Sequence, residues 1–417
     1  MHDFSVSYKK LIQLTFIFSL FLSTGAVVDF LIAGPDVRDQ LEESNSQLRL
    51  FLWLPVYLLF TFFSVIYYKK LLDFFKQNLP FLSLLLLCLV SCLWSGLFSL
   101  SIYSSSQMVL LTCFAIIVGY SFSAKSILKQ IYFVLCTIIV LSFIYVLAMP
   151  EYGVSTYVDE VAFRGVFPEK NRLGQVLVYY FCLSFALFKR NTVNMAIFAM
   201  ACFLMLGNKS ATALVLTLML PAFFYISKLF YGNQKSIMVN SFAAFILVFI
   251  TTSILIFTYE YLLLLLGKDP TLTGRTDLWH YGIESVMENP FLGFGYNAFW
   301  KYEGGMGGEY IRILLEWGPM SMHNGWFETV LQLGIIGLLL ALYVFFQLLG
   351  LSVSALNKSK MSQHSRVIFV FILIYFIWSL MQHIILRHQE FTHYLFTVIF
   401  SCLFFYKTKS KSQIIKK

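Results

Sequence analysis

Residues 267–327, GKDPTLTGRTDLWHYGIESVMENPFLGFGYNAFWKYEGGMGGEYIRILLEWGPMSMHNGWF, decide how this chain is read. They form the long polar interruption in a sequence that otherwise passes from one apolar run to the next. The stretch carries Arg275 in Thr-Gly-Arg-Thr-Asp-Leu-Trp, a turn region over 290–299, and His323 at the entry to another apolar run. An Arg and a His converging near a bilayer surface suit anion binding coupled to proton transfer.

On either side the chain is apolar. It has 417 residues, 59% of them hydrophobic and 12% charged, with mean hydropathy +0.76. Soluble domains carry about 25% charged residues, so a large water-soluble core is excluded. Crossing the hydrocarbon takes roughly 20 apolar residues. About twelve runs qualify: 11–33, 48–68, 79–97, 108–123, 130–149, 172–188, 193–207, 211–230, 238–266, 324–353, 366–386 and 392–406. The spans should be helices, because backbone in hydrocarbon must satisfy its own hydrogen bonds. The fold class expected is therefore an all-α polytopic membrane protein, one domain over 1–417, with short helices in a large outward-facing loop.

Charge placement orients it. With the N-terminus inside, the inner segments hold 19 of the 30 Lys and Arg residues against two acids, Asp3 and Asp73. That makes the inner loops net +17 and the remainder net −8, within the overall +9. Basic residues in short loops mark the cytoplasmic side, so both termini should be cytoplasmic and residues 267–323 should face outward. The basic balance is thus a topology signal and no nucleic-acid footprint, although the tail lysines could touch anionic lipid. All seven cysteines fall in apolar runs, with no CxxC and no His/Cys cluster, so neither a disulfide nor a metal site is expected. The first run lacks a signal-peptide exit and should be retained as a helix.

Within the polar stretch, 277–289 reads as a helix capped by Thr276 and stopped at Asn289-Pro290. Trp279, Ile283, Val286 and Met287 share one face, as in a helix lying on the membrane or on the bundle. Arg275 stands just before it, where a guanidinium fork and free helix N–H groups both favour an anion. The alternative is an interfacial Arg that snorkels or pairs with Asp269 or Asp277. His323 can accept a proton near neutral pH, but a single His at a helix mouth is often a cap or packing residue. Glu328 lies too far round the helix to be assigned as its orienting partner. His280, His383, His388 and His393 have weaker contexts. Lys209, between the seventh and eighth runs, and the Lys170-Asn171 pair at the mouth of the sixth are cations or neighbours of cations close to hydrocarbon. Such cations are functional candidates or snorkelling lysines.

Together these segments resemble the O-antigen ligase and polymerase superfamily. The resemblance rests on GRTDLW at 274–279, ENPFLGFG at 288–295, and His323-Asn324 leading into LGIIGL at 333–338. The 167–174 and 293–300 segments are most similar to its exopolysaccharide-polymerase branch, and the motif-bearing likeness covers about 160–345. It implies an enzyme of the bacterial inner membrane, with its site on the periplasmic side in the 267–323 loop. The implied donor and acceptor are polyprenyl-pyrophosphate-linked glycans, such as those on undecaprenyl pyrophosphate. Implied associates are the lipid bilayer, a chain-length regulator and a flippase; no cofactor or metal is implied. By similarity Arg275 grips the pyrophosphate and His323 deprotonates the acceptor hydroxyl. Lys209, Lys170, Asn171, Arg172 and Asn324 would contact substrate. Ligases of the family commonly carry a second Arg where this chain has Lys209, whose ammonium lacks the bidentate fork.

The chemistry agrees with that outline. Pyrophosphate is already a good leaving group, so cations and one base suffice. No carboxylate pair points to a glycosidase-like mechanism. The expected activity is polymerisation of lipid-linked repeat units into O-antigen, capsule or exopolysaccharide. The alternatives are a ligase transferring glycan to lipid A core, a flippase or transporter, and a structural partner of an export complex.

Overall fold

The computed structural model describes residues 2–26, 44–155, 161–232, 275–302, 305–315, 318–358 and 362–415. The first half contains α1 (His2–Ser23), α2 (Ser44–Ile66), α3 (Tyr68–Gln77), α4 (Leu79–Val90), α5 (Phe98–Ser121) and α6 (Ala124–Ala148). Then come α7 (Lys170–Leu187), α8 (Thr192–Asn208) and α9 (Ala211–Leu229). After the segment outside the description follow α10 (Arg275–Glu288), α11 (Gly308–Leu315), α12 (Gly325–Lys358), α13 (Gln363–Met381) and α14 (Phe391–Ile415). Between α6 and α7 a two-stranded antiparallel ribbon pairs β1 (Val154–Ser155) with β2 (Ala162–Phe163), a small departure from the all-α expectation.

All of these helices but α3, α10 and α11 fall on apolar runs marked from sequence, and the run 238–266 lies outside the described residues. By length and composition five of them, α5, α6, α9, α12 and α13, can cross a membrane. A sixth arises if α2 and α3, bent by 79°, form one broken span. The expected count of about twelve is therefore not established. The apolar helices Leu79–Leu93 and Thr192–Asn208 are too short to qualify, for a span needs about 20 residues. Large side chains left outward, such as Leu206 and Leu218 at 79% and 70% exposure, suit a lipid surround.

The bundle closes on aromatic and small residues. Phe60 stacks on Phe114 with ring centroids 4.3 Å apart, and Phe74 meets Phe81, Phe400 and Phe404. Gly119 lets α5 approach α14 so closely that an added Cβ would lie 2.1 Å from Ser401 Oγ. That hydroxyl donates across the contact to the Ala115 carbonyl at 3.1 Å, a small-residue junction of the kind membrane helices use.

One helix is broken, and the break positions everything that follows. In α12, Gly334 adopts φ 65°, ψ −170°, which frees backbone groups of the preceding turn. The 290–295 turn fills the gap. Phe294 and Gly295 donate N–H to the carbonyls of Leu331 and Gln332 at 2.8 and 2.9 Å, and Ile335 N–H donates to the Pro290 carbonyl at 2.9 Å. Backbone at this depth is tolerated because protein partners satisfy it. Only glycines fit: a Cβ on Gly334 would lie 2.1 Å from the Phe291 backbone, and one on Gly293 2.6 Å from Leu331 O. A second, smaller core of Leu278, Phe294, Phe299, Trp300, Ile311, Met322 and Leu331 forms around this junction.

Candidate active site

Met322, the residue before His323, is pinned at both of its backbone polar groups. Met322 N–H donates to Glu328 Oε2 at 3.0 Å, and the Met322 carbonyl accepts from Trp279 Nε1 on α10 at 2.8 Å. His323 follows in the left-handed region, φ 50°. Asn324 then caps α12: its Oδ1 accepts from the N–H groups of Trp326 and Phe327 at 3.0 and 3.1 Å. That oxygen is engaged in the fold, which gives the predicted substrate-contacting Asn324 a helix-capping role here.

Arg275 opens α10 one turn before Trp279, so the same indole that fixes the histidine peptide fixes the helix carrying the guanidinium. Burial, and then the Arg275 charge, push the His323 imidazole below its ordinary value, against a smaller opposing pull from the Glu169 carboxylate. The histidine is thereby held neutral, the form that accepts a proton.

One sequence expectation for α10 is corrected: the helix is already running at Arg275, so Thr276 sits in its first turn and is not the cap. Of the expected apolar face, Trp279 and Val286 pack against the second core, while Ile283 and Met287 are 57% and 72% exposed. The buried positions of the helix are Leu278, Gly282 and Ser285. Gly282 decides this: a Cβ there would lie 2.8 Å from Met322 Cε and 3.0 Å from the Phe327 ring.

The mouth of α7 supplies the next wall. Asn208 Nδ2 donates to the Lys170 carbonyl at 2.7 Å, and Ser210 Oγ donates to Asn171 Oδ1 at 3.0 Å. Between Asn208 and Ser210, Lys209 ends α8 in the left-handed conformation, φ 52°, with its side chain exposed. Lys170, Asn171 and Lys209 are thus brought together by the α8–α9 break. Arg172 reaches elsewhere, to Glu390 Oε1 at 3.3 Å. Glu390 is 2% exposed and also accepts from His393 N–H at 2.9 Å.

Sequence reasoning missed the 382–390 loop between α13 and α14. His383 Nδ1 lies 4.0 Å from Glu328 Oε1, and burial, then the charges of Arg387, His388 and Arg172, hold its imidazole well below the ordinary value. Leu386 and Gln389 both take positive φ, 51° and 59°. The loop is tied down by Tyr296 Oη donating to the Leu386 carbonyl at 2.6 Å and by Gln389 Nε2 donating to Tyr57 Oη at 3.0 Å. The available signal was density: three histidines, Arg387 and Glu390 fall within 383–393, between two apolar runs. Glu328 was seen but set aside on helical geometry, which holds for its distance from the imidazole but not for the peptide before it. Among the described residues no three His, Cys, Asp or Glu side chains group so as to hold a metal ion.

The arrangement sets the Arg275 guanidinium and the Glu169 carboxylate within electrostatic reach of a neutral imidazole, at the end of the bundle where α12 is broken. Residues 195–342 match the family model described as O-antigen ligase. That stretch includes Lys209, Arg275, His323, Asn324 and Glu328, while the α7 mouth and the 382–390 loop lie outside it. The exopolysaccharide production protein ExoQ of Rhizobium meliloti (strain 1021) is 26% identical over 306 residues, covering 69% of this chain and 67% of that one. A candidate polysaccharide ligase of Rickettsia conorii (strain ATCC VR-613 / Malish 7) is 33% identical over 97 residues, 22% of this chain and 23% of its own. The long apolar helices of this chain are those of a multi-pass membrane protein.

Proposed function

We propose that the protein polymerises polyprenyl-pyrophosphate-linked oligosaccharide units into a surface polysaccharide, by glycosyl transfer on the outer face of the bacterial inner membrane. The observation that carries this is His323, held neutral by burial and by Arg275 beside it. Arg275 binds the donor pyrophosphate, assisted by cations from the α7 mouth and the α8–α9 break, Lys170 and Lys209, with Asn171 beside them, while Arg172 is engaged by Glu390. The acceptor hydroxyl loses its proton to His323 as its oxygen bonds to the donor's anomeric carbon. The bond from that carbon to the pyrophosphate breaks, and the electron pair leaves on the pyrophosphate, whose charge the guanidinium stabilises. Attack opposite the leaving group inverts the anomeric centre. The step needs no metal, since the cations are supplied by side chains.

A ligase transferring glycan to lipid A core is the second reading, favoured by the description of the matching family. The ExoQ relative, matched over a much longer stretch, favours polymerisation. Surface glycan and lipid-linked intermediates from wild-type, deletion and His323→Ala cells separate them. A polymerase lesion leaves single exported units in place of a ladder, and a ligase lesion leaves long chains on the polyprenyl carrier. Units trapped on the cytoplasmic leaflet would instead identify a flippase and overturn both readings. Reporter fusions after residue 305 should be external, and those after 235 or 360 internal. An internal 305 would put the site on the wrong side for the donor.

A further inference from the structure

The geometry points to Glu328 as the positioning residue for His323, acting through Met322, the residue that precedes it; this rests on the proposed role of His323 as base. Glu328 is fully buried, yet its carboxylate is satisfied on both oxygens. Oε1 accepts from Trp300 Nε1 at 2.7 Å and Gln332 Nε2 at 3.2 Å, and Oε2 accepts from Met322 N–H at 3.0 Å. All three partners are donors, so the site is built for an ionised carboxylate, an acceptor on every side. His383 at 4.0 Å completes the surround, with Arg387 within electrostatic reach.

Each contact comes from a different part of the site. Trp300 lies in the short helical turn just after the segment that fills the α12 break, Met322 leads into the base, and His383 opens the 382–390 loop. Gln332 extends the network, because its Oε1 accepts from Asn297 N–H at 3.0 Å and Asn297 Nδ2 donates to Ser104 Oγ on α5 at 2.9 Å. One carboxylate on α12 is therefore joined to the Trp300 turn, the Met322 backbone and the 382–390 loop. Its partner in fixing the base is Trp279, which holds the carbonyl of the same Met322 residue. With both Met322 backbone groups held, the backbone leading into the left-handed His323 is fixed relative to α10, the helix that carries Arg275.

Glutamine at 328 keeps the shape but offers an amide N–H₂ where an acceptor is required, so one donor must face another. The test is single-turnover transfer from purified lipid-linked repeat units by protein in nanodiscs, with binding of undecaprenyl pyrophosphate measured separately. Glu328→Gln should slow transfer on the order of 10- to 100-fold, the scale of a small misplacement of a catalytic group, with undecaprenyl pyrophosphate affinity within about twofold of wild type. Trp279→Phe, which removes the indole N–H and leaves a smaller ring at a half-buried position, should give a smaller loss in rate alone. The double variant should lose less than the product of the two, because both act through Met322. Additive losses, weakened undecaprenyl pyrophosphate binding, or a transfer rate within twofold of wild type in Glu328→Gln would each overturn the assignment. Should Glu328→Gln not fold, Trp279→Phe with unchanged rate overturns it alone. Full activity in His323→Ala would instead show that the reading of the site as a whole had failed.

Discussion

The two ends of this bundle are built differently. At the end where α12 breaks stand all five non-glycine residues with positive φ found among the described residues: Lys209, Asn297, His323, Leu386 and Gln389. Such conformations cost on the order of 1 kcal/mol or more each and persist only where surrounding contacts over-determine them. At the other end the helices start on regular caps, Ser123, Asn191 and Ser362, each accepting from the N–H three residues on. Cations there serve packing: Lys9 lies over Phe122, Lys70 over Tyr120, and Arg366 lies against the stacked pair Phe185 and Phe224. One end thus satisfies itself with local rules, while the other holds strained backbone with long-range hydrogen bonds. A chain that needs a base and its cations fixed in place has reason to put its strain there.

The largest effect expected from breaking that contrast is at Arg275. Arg275→Ala should abolish polymer with protein levels unchanged, and Arg275→Lys should rescue only part of it, because the fork is lost. Normal polymer in Arg275→Ala membranes would place this arginine with the packing cations of the other end.

Next come the glycines. Gly334→Ala sets a Cβ 2.1 Å from the Phe291 backbone at φ 65°, and should cost at least about 3 kcal/mol of stability. Gly350→Ala, further along the same helix with nothing within 4 Å, should be stabilising by up to about 1 kcal/mol. Equal melting temperatures in detergent for the two variants would erase the distinction between the ends.

The third test is the titration of His323, whose lowered value places the acid limb of the pH–rate profile below the ordinary imidazole range. Removing a nearby cation raises a histidine pKa, and removing a nearby carboxylate lowers it. Arg275→Gln should therefore move the imidazole titration, followed by NMR of labelled histidine, to higher pH. Glu169→Gln should move both that titration and the acid limb to lower pH. Shifts of the same sign would show that these charges do not face His323.

The smallest effect concerns Lys209. Lys209→Gly relieves a left-handed non-glycine C-cap and should stabilise by about 1 kcal/mol. Its loss of activity should be far smaller than that of Arg275→Ala, and Lys209→Arg should be tolerated. A loss matching Arg275→Ala would move Lys209 to the centre of the site.

Much of this was legible in advance. Apolar run length located the helices because hydrocarbon forces each segment to close its own hydrogen bonds, a local requirement. Lys and Arg placement separated the ends, and the polar interruption pointed to Arg275 and His323 because charge near hydrocarbon needs a reason. What stayed hidden depends on partners distant in sequence. Periodicity grouped Trp279, Ile283, Val286 and Met287 on one face of α10, but it could not show that Gly282 is buried because Met322 and Phe327, forty or more residues on, require the space. Gly334 reads as one more residue in an apolar helix until the 290–295 turn is seen inside the break. Glu328 is displaced from His323 by helical geometry, and only the folded loop brings the Met322 N–H to it. His383 and Arg387 lie at the end of an apolar run and join the site through the tertiary packing of α7, α12 and α13. The sequence by itself determined a helical chain with apolar segments long enough to span a membrane, and it singled out the two residues most worth testing. Tertiary structure alone decided how a neutral imidazole is held beside a guanidinium, because that takes hydrogen bonds between segments no local pattern connects.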